Sequence, residues 1–177
     1  MLITVDKLKE TYPKFNDIDD ELITRRLSVI ESAIRKYTNN NFQNRAIRFE
    51  ASSSNEILNG SNPYLNVEDT LEISNSINSG IYTIKSVDDK RITLEEPIYD
   101  TEYNLCTKVV YPIDVIEGAI DLLDWELLKQ GKELTGVASE SISRHNVSYV
   151  QRTNDNTISG YPVELFNFCN QYKKARF

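Results

Sequence analysis

Apolar side chains recur at helical spacing in two long stretches of the chain. In the first, they follow one another at intervals of four and three residues, as on the buried face of an amphipathic helix: Ile23, Leu27, Ile30, Ile34 and Tyr37. In the second, Pro112–Lys132, they occupy more than one face, which is typical of a helix covered on most sides. We expect this second stretch to be the central helix against which the others pack.

Shorter helices are predicted near the two ends of the chain. Thr4 is suited to cap a helix that Pro13 ends. Pro162 is suited to the first turn of a final helix. One face of that final helix would carry three side chains: Leu165, Cys169 and Tyr172.

The pattern changes to alternation between residues 46 and 110. Ile81–Val87 and Arg91–Leu94 have the composition of two strands of a hairpin. About five short strands, separated by turns rich in Asn, Ser and Gly, predict a small antiparallel sheet or barrel. Because helices flank this segment, we predict an α+β fold. Its mainly helical bundle core comprises residues 1–45 and 111–177, with an inserted small antiparallel β subdomain over 46–110.

The charge distribution and the cysteines indicate which partners the chain can bind and in which cellular compartment it is made. The net charge is -7, and residues 46–110 alone carry -6, which argues against this segment gripping nucleic-acid phosphates. Cys106 and Cys169 are predicted to be buried free thiols. The first residues lack the basic and apolar regions of a signal peptide, and no apolar run approaches membrane-spanning length. We therefore expect synthesis in a cytoplasm and no membrane association.

Residues capable of catalysis or metal binding are sparse. His145 is the single histidine, without the neighbouring ligands that a metal site needs. No nucleophile elbow, Walker motif or dinucleotide fingerprint is present. The acidic edge of the central helix offers possible cation ligands, although a solvated or interface-facing edge is the favoured interpretation: Asp114, Glu117, Asp121 and Asp124. We expect no metal and no cofactor, and an enzyme that uses Asp114, Glu117 and Asp121 with a metal is the least favoured hypothesis.

The basic C-terminus stands out on an acidic protein. Lys173, Lys174 and Arg176 cluster there. One interpretation is that they complement the dipole of the last helix. The other is that they form an electrostatic dock for an acidic partner surface or a nucleic-acid backbone.

The order of these parts resembles the head–tail connector proteins of tailed bacteriophages, also called head-completion or adaptor proteins. The resemblance rests on the helical frame, residues 1–45 and 111–177, and above all on two stretches. The first runs from Gly136-Val137-Ala138-Ser139-Glu140-Ser141-Ile142 to Ser148-Tyr149. The second is Tyr161-Pro162, followed by Leu165 and the basic end Tyr172-Lys173-Lys174-Ala175-Arg176-Phe177. The segment 46–110 fits the family less closely, because its minimal members are nearly all helical.

The resemblance implies a structural role in the virion. Such proteins dock on the portal as a ring, typically of about twelve identical subunits, whose contacts are heterologous. They extend the channel through which double-stranded DNA passes and carry a tail-side completion, stopper or tail terminator protein. The residues expected at the portal or neighbour-subunit interface are Arg144, Val147, Tyr149, Gln151, Arg152, Tyr172, Lys173, Lys174, Arg176 and Phe177.

A second hypothesis comes from another class of protein. Tyrosines are frequent in the β segment, and such residues are common at recognition surfaces. The chain would then be a monomeric binding module that recognises a protein or carbohydrate ligand through its β insertion.

Overall fold

The structure is a computed structural model that describes residues 2–129, 139–142, 145–148 and 157–175. The chain divides into two compact units. Unit 1 comprises residues 1–20 and 40–112, and unit 2 comprises residues 21–39 and 113–177.

Unit 1 begins with the predicted short helix, which is confirmed. Helix α1 spans Val5–Thr11, and the hydroxyl of Thr4 accepts a hydrogen bond from the Lys7 N–H (3.4 Å) at its start. A 3-10 turn, Pro13–Phe15, follows. The ammonium of Lys9 then donates to the carbonyl of Ile18 (2.7 Å), which fixes the chain after the turn.

The rest of unit 1 is a closed antiparallel barrel. Its strands are β1 (Gln43–Ser54), β2 (Ile57–Asn59), β3 (Thr70–Ser74), β4 (Gly80–Val87), β5 (Arg91–Leu94) and β6 (Thr101–Val109). They pair in the order β1-β2-β5-β4-β3-β6, and β6 returns to β1. Closure gives every strand of the barrel two neighbours, so the barrel has no unpaired edge. The predicted hairpin of β4 and β5 is confirmed, with Val87 opposite Ile92.

The barrel has its own hydrophobic core. Alternate side chains of the strands point inward, together with residues from two connecting loops. The buried set is Ala51, Leu58, Leu65, Leu71, Ile73, Ile84, Ile92, Leu94, Ile98 and Cys106. Cys106 is a buried free thiol, as predicted.

The two ends of the barrel differ in which connections they carry. Antiparallel pairing places the loops 55–56, 75–79 and 95–100 at one end, here called the turn end. The opposite end, called the linker end, carries the loops 60–69 and 88–90. The chain also enters and leaves the barrel there, where Gln43 pairs with Val109. Just outside this pair, the rings of Phe42 and Tyr111 lie 5.0 Å apart.

The prediction of a mainly helical bundle core with a small inserted β subdomain is wrong. The barrel is a closed six-stranded structure with a separate core, not an accessory to a helical bundle. Closure depends on β2, a strand of three residues that pairs with both β1 and β5. Ile57–Asn59 is too short to show alternation and adjoins a dense turn signal, so the sequence did not predict it.

Unit 2 is built around two α-helices and a C-terminal 3-10 helix. Helix α2 spans Asp20–Thr38, and α3 spans Ile113–Asp124 and continues into a π-helical turn, Trp125–Lys129. In the described parts of the chain beyond residue 129, four short strands follow: β7 (Ser139–Ile142), β8 (His145–Ser148), β9 (Thr157–Ile158) and β10 (Tyr161–Pro162). The predicted α2 stripe is confirmed, because four of its members are at most 1% exposed: Ile23, Leu27, Ile30 and Ile34.

The final helix is present as predicted, but it has fewer residues per turn than the α-helix that was expected. It is a 3-10 helix, Val163–Tyr172, so residues three apart share a face. Phe166 and Cys169 are therefore its fully buried side chains, whereas Leu165 is only half-buried. The helix packs against α3 where Gly118 leaves room for the ring of Phe168.

Candidate docking surface

Three of the predicted interface residues lie together at the end of unit 2. Tyr172 ends the 3-10 helix, and its hydroxyl donates to the carboxylate of Asp114, 2.7 Å from Oδ1 and 2.9 Å from Oδ2. The side-chain amide of Gln171 donates to the same carboxylate (2.7 Å). The hydrogen bond from Tyr172 to Asp114, followed by desolvation, raises the pKa of Tyr172. Asp114 lies in the first turn of α3, so the 3-10 helix is tied to the start of α3.

Beyond Tyr172 the chain crosses the C-terminal end of α2. Lys173 is extended, and the N–H of Lys174 donates to the carbonyl of Thr38, the last residue of α2 (2.8 Å). Asn39 follows with a left-handed φ of 50°, and its side-chain amide donates to the carbonyl of Ala175 (3.2 Å). The last carbonyls of a helix lack partners within the helix. The C-terminal segment therefore supplies a hydrogen-bond donor to one of these carbonyls, that of Thr38.

The two lysines place positive charge at this helix end. The Lys173 ammonium lies 3.8 Å from the ring centroid of Tyr37, within the range of a cation–π contact. Both lysine side chains are exposed. Positive charge at the C-terminus of a helix is stabilised by the dipole, and these lysines lie at the ends of both α2 and the 3-10 helix. The same two charges remain accessible to an acidic partner surface.

Aromatic packing holds the segment in place from beneath. The ring of Phe166 lies 5.3 Å from that of Tyr37, edge to face, and 6.1 Å from that of Tyr161. The hydroxyl of Tyr161 donates to Glu126 (2.7 Å), whose other oxygen pairs with Arg26 (2.9 Å). The C-terminal segment is therefore presented on a packed base.

The remaining predicted interface residues are placed only in part. Val147 lies in β8, paired with Glu140 of β7. The other predicted residues lie outside the described residues: Arg144, Tyr149, Gln151, Arg152, Arg176 and Phe177.

The acidic edge of α3 does not form a cation cage. Asp114 accepts hydrogen bonds from the 3-10 helix, and Asp124 is only 6% exposed. Within the described ranges of the chain, no group of three or more His, Cys, Asp or Glu side chains could hold a metal ion.

Both thiols are poorly suited to act as nucleophiles. Burial raises the pKa of Cys106 to about 12. Burial, and secondarily the charge of Asp114, raises the pKa of Cys169 to about 12. A thiolate is the reactive form of cysteine, so both groups are inert in the folded protein.

The barrel carries an open groove at its linker end. Its volume is about 680 Å³, and it lies between the 60–65 loop and the β4–β5 turn. The N–H of Gly60 donates to the carbonyl of Lys90 (2.9 Å), and the Ser61 hydroxyl donates to the carbonyl of Asp89 (2.6 Å). These bonds hold the two walls together. The lining residues are Ser61, Asn62, Pro63, Leu65, Val87, Asp88, Asp89, Lys90 and Arg91.

Comparisons with known proteins give no family. No protein-family model matches this chain, and no curated protein matches it. Among the described residues, no helix has both the length and the apolar character needed to cross a membrane.

Several contributors to the surface escaped sequence reasoning. Tyr37 was predicted only as a member of the α2 stripe and Asp114 only as part of the acidic edge of the central helix, while Asn39 entered no predicted site. All three meet the C-terminal segment through contacts between residues far apart in sequence. The one available signal was the clustering of basic residues at the C-terminus.

Proposed function

We propose that this chain is a structural virion protein, a head–tail connector that docks on the portal as a ring of identical subunits. It extends the DNA channel and joins the head to a tail-side completion, stopper or tail terminator protein. No catalytic step is part of this role. The proposal begins from the sequence resemblance, and residues 172–175 of its basic C-terminal motif belong to the surface described above.

The observation that carries the proposal is the arrangement of the C-terminal segment. Its backbone is bonded to the end of α2, while the ammonium groups of Lys173 and Lys174 are exposed. An ordered segment loses less conformational entropy on binding than a free tail does. The surface is therefore suited to an acidic patch on a portal oligomer.

The acidic barrel supports a channel role without a DNA-binding role. Residues 46–110 carry a net charge of -6. Duplex DNA is densely negative, so this segment repels it rather than gripping its phosphates. DNA would pass such a protein without sequence-specific contacts.

The direct test is co-sedimentation of the purified chain with the portal oligomer encoded beside it. We expect saturable binding at one copy per portal subunit. The double variant Lys173→Gln/Lys174→Gln should weaken binding at least tenfold, because it removes both charges while keeping the backbone contacts. The matched control Lys7→Gln/Lys85→Gln removes two exposed charges from unit 1 and should bind as the wild type does.

Point variants are preferable to truncation. A chain cut after Gly160 loses Phe166 and Cys169, which are fully buried, so it would lose binding by unfolding unit 2. No binding by the wild-type chain, to a portal that binds its other partners, would contradict the proposal.

The groove favours a second candidate function, a monomeric binding module. Its mixed lining of amide, carboxylate and guanidinium groups is suited to a polar ligand such as a carbohydrate. A glycan array probed with the full chain and with Arg91→Ala tests it. Glycan binding that the variant abolishes would favour this candidate. Equal binding by both chains would exclude the groove as the glycan-binding site.

A further inference from the structure

The turn end of the barrel is closed by a buried amide, Asn78, which is 2% exposed. Its Nδ2 donates to the carbonyl of Tyr99 (2.8 Å), and its Oδ1 accepts from the N–H of Tyr99 (2.8 Å). One side chain thus pairs with both backbone groups of a residue in another loop. The 75–79 and 95–100 loops are thereby fixed to each other.

A second layer of polar side chains supports Asn78 from inside the barrel. Asn104, which is fully buried, donates to the Ser53 hydroxyl (3.1 Å) and accepts from Asn78 (3.2 Å). The Ser53 hydroxyl in turn donates to the carbonyl of Tyr99 (2.7 Å). The hydroxyl of Ser76 also donates to Asn104 (2.7 Å). Satisfied buried networks of this kind hold loops in a single conformation.

The same loops hold two large apolar side chains in solvent. Ile77 is 71% exposed and directly precedes Asn78, and Tyr99 is 72% exposed. Single exposed apolar residues are common on protein surfaces. These two differ because the side chain of Asn78 is hydrogen-bonded to the backbone of Tyr99 and so fixes both loops. Tyrosine is enriched among residues that dominate binding energy, and a rigid presentation lowers the entropy lost on association. Neither side chain belongs to the hydrophobic core of the barrel.

The charge around this pair has one sign. Residues 55–56, 75–79 and 95–102 contain no Lys or Arg. They carry five exposed carboxylates: Glu56, Glu95, Glu96, Asp100 and Glu102. The linker end, in contrast, carries both signs, with Lys90 beside Asp88 and Asp89. A single-sign rim around an apolar centre favours a basic protein surface and repels nucleic acid and anionic lipid.

We infer that the turn end of the barrel is a docking surface for a partner protein whose contact surface is basic around an apolar recess. Ile77 and Tyr99 are the anchors that enter the recess, and the carboxylate rim sets orientation and speeds encounter. The proposed portal contact rests on the C-terminal segment of unit 2, so either proposal can fail while the other stands.

Site-specific crosslinking in cells identifies the partner. A benzoylphenylalanine is placed at position 77 of the full chain, made together with the proteins encoded beside it. The control places it at position 64, because Tyr64 is similarly exposed (68%) but lies in a linker-end loop. We expect one protein to crosslink from position 77 and not from position 64.

The crosslinked protein is then purified and its affinity for the full chain is measured. Tyr99→Ser and Ile77→Ser should each weaken binding at least tenfold, whereas Tyr64→Ser should leave it unchanged. Glu95→Gln/Glu96→Gln/Glu102→Gln should weaken binding and reduce its dependence on salt. Equal crosslinking from positions 77 and 64, or none from 77, overturns the inference. So do turn-end variants that bind as the wild type does, or a crosslink to nucleic acid or to a second copy of this chain.

Discussion

A single methyl group added to α3 tests how closely the C-terminal 3-10 helix packs on it. A Cβ at position 118 would lie 2.3, 2.4 and 2.5 Å from three ring carbons of Phe168. Ordinary contact between carbon atoms is about 3.5–4.0 Å, so the ring must move by about 1 Å or more. Phe168 is half-buried and stacked beside Phe166, with centroids 6.4 Å apart, so the movement disturbs a packed pair.

Two opposing effects determine the stability of Gly118→Ala. Alanine is favoured over glycine inside a helix by about 1 kcal/mol. Overpacking of a filled site costs about 1–3 kcal/mol. We therefore expect Gly118→Ala to lower the free energy of unfolding by about 1 kcal/mol, the difference between about 2 kcal/mol of overpacking and the helix gain.

The effect should change sign when the ring is removed. In a Phe168→Ala background the added methyl meets no ring, so only the helix gain remains. Gly118→Ala should then raise the free energy of unfolding by up to about 1 kcal/mol. The coupling between the two positions would be about 2 kcal/mol, well above that of independent sites.

The assay is urea unfolding of the four chains of this double-mutant cycle. The single tryptophan, Trp125, lies in unit 2 with its ring 5.7 Å from that of Tyr161, so its fluorescence reports on the unit that is perturbed. Ser28→Ala, an exposed change on α2, serves as the control and should have the same small effect in both backgrounds. Equal stabilisation by Gly118→Ala in both backgrounds would refute the close approach of Phe168.

Other predictions concern the barrel, the pH dependence of stability and the thiols. Asn78→Ala removes a buried side chain with contacts to Ser53, Tyr99 and Asn104, so it should destabilise the barrel by about 2–4 kcal/mol; a loss below about 0.5 kcal/mol in thermal unfolding would count against the network. Burial and the hydrogen bond to Glu126 raise the pKa of Tyr161. Unfolded tyrosine ionises near pH 10 while the folded group stays protonated, so stability is full below pH 10 and falls above it. Tyr161→Phe should make that fall less steep in chemical unfolding at pH 9–11, and an unchanged slope would contradict the assignment. Neither thiol should react with Ellman's reagent at pH 8 until denaturant is added, and stoichiometric reaction in native buffer would show that a cysteine is accessible.

Local signals were sufficient for the first two helices of this chain, α1 and α2. The Thr4 cap and the Ile23 to Ile34 spacing depend on neighbours within one or two turns, and both helices form as expected. The width of the buried face of α2 is a different matter: Leu22 and Val29, which adjoin the stripe, are 38% and 47% exposed, whereas Ala33 is 5% exposed. Helical spacing identifies a face, but the width of the buried face depends on what covers it.

Long-range pairing limited the prediction of the barrel and of both candidate surfaces. The strand Ile57–Asn59 has only three residues, and its role becomes visible only once β1 and β5 flank it. The contact of Lys173 with Tyr37 and the clamp of Asn78 on Tyr99 likewise join loops or helices distant in sequence. An isolated apolar residue within a polar turn, Ile77 in Asn75–Gly80, was the only local sign of the second surface.

The pairing of Gln43 with Val109 has a consequence for how this chain can change over generations. Antiparallel partners lie about 5 Å apart, so the first and last residues of the barrel, Gln43 and Val109, are adjacent in space. A segment with adjoining ends can be exchanged, enlarged or deleted and replaced by a short linker, with little demand on the sequence before or after it. The barrel and its flanks are therefore free to diverge at different rates, so a lineage can acquire a new partner at the turn end while its C-terminal surface stays the same.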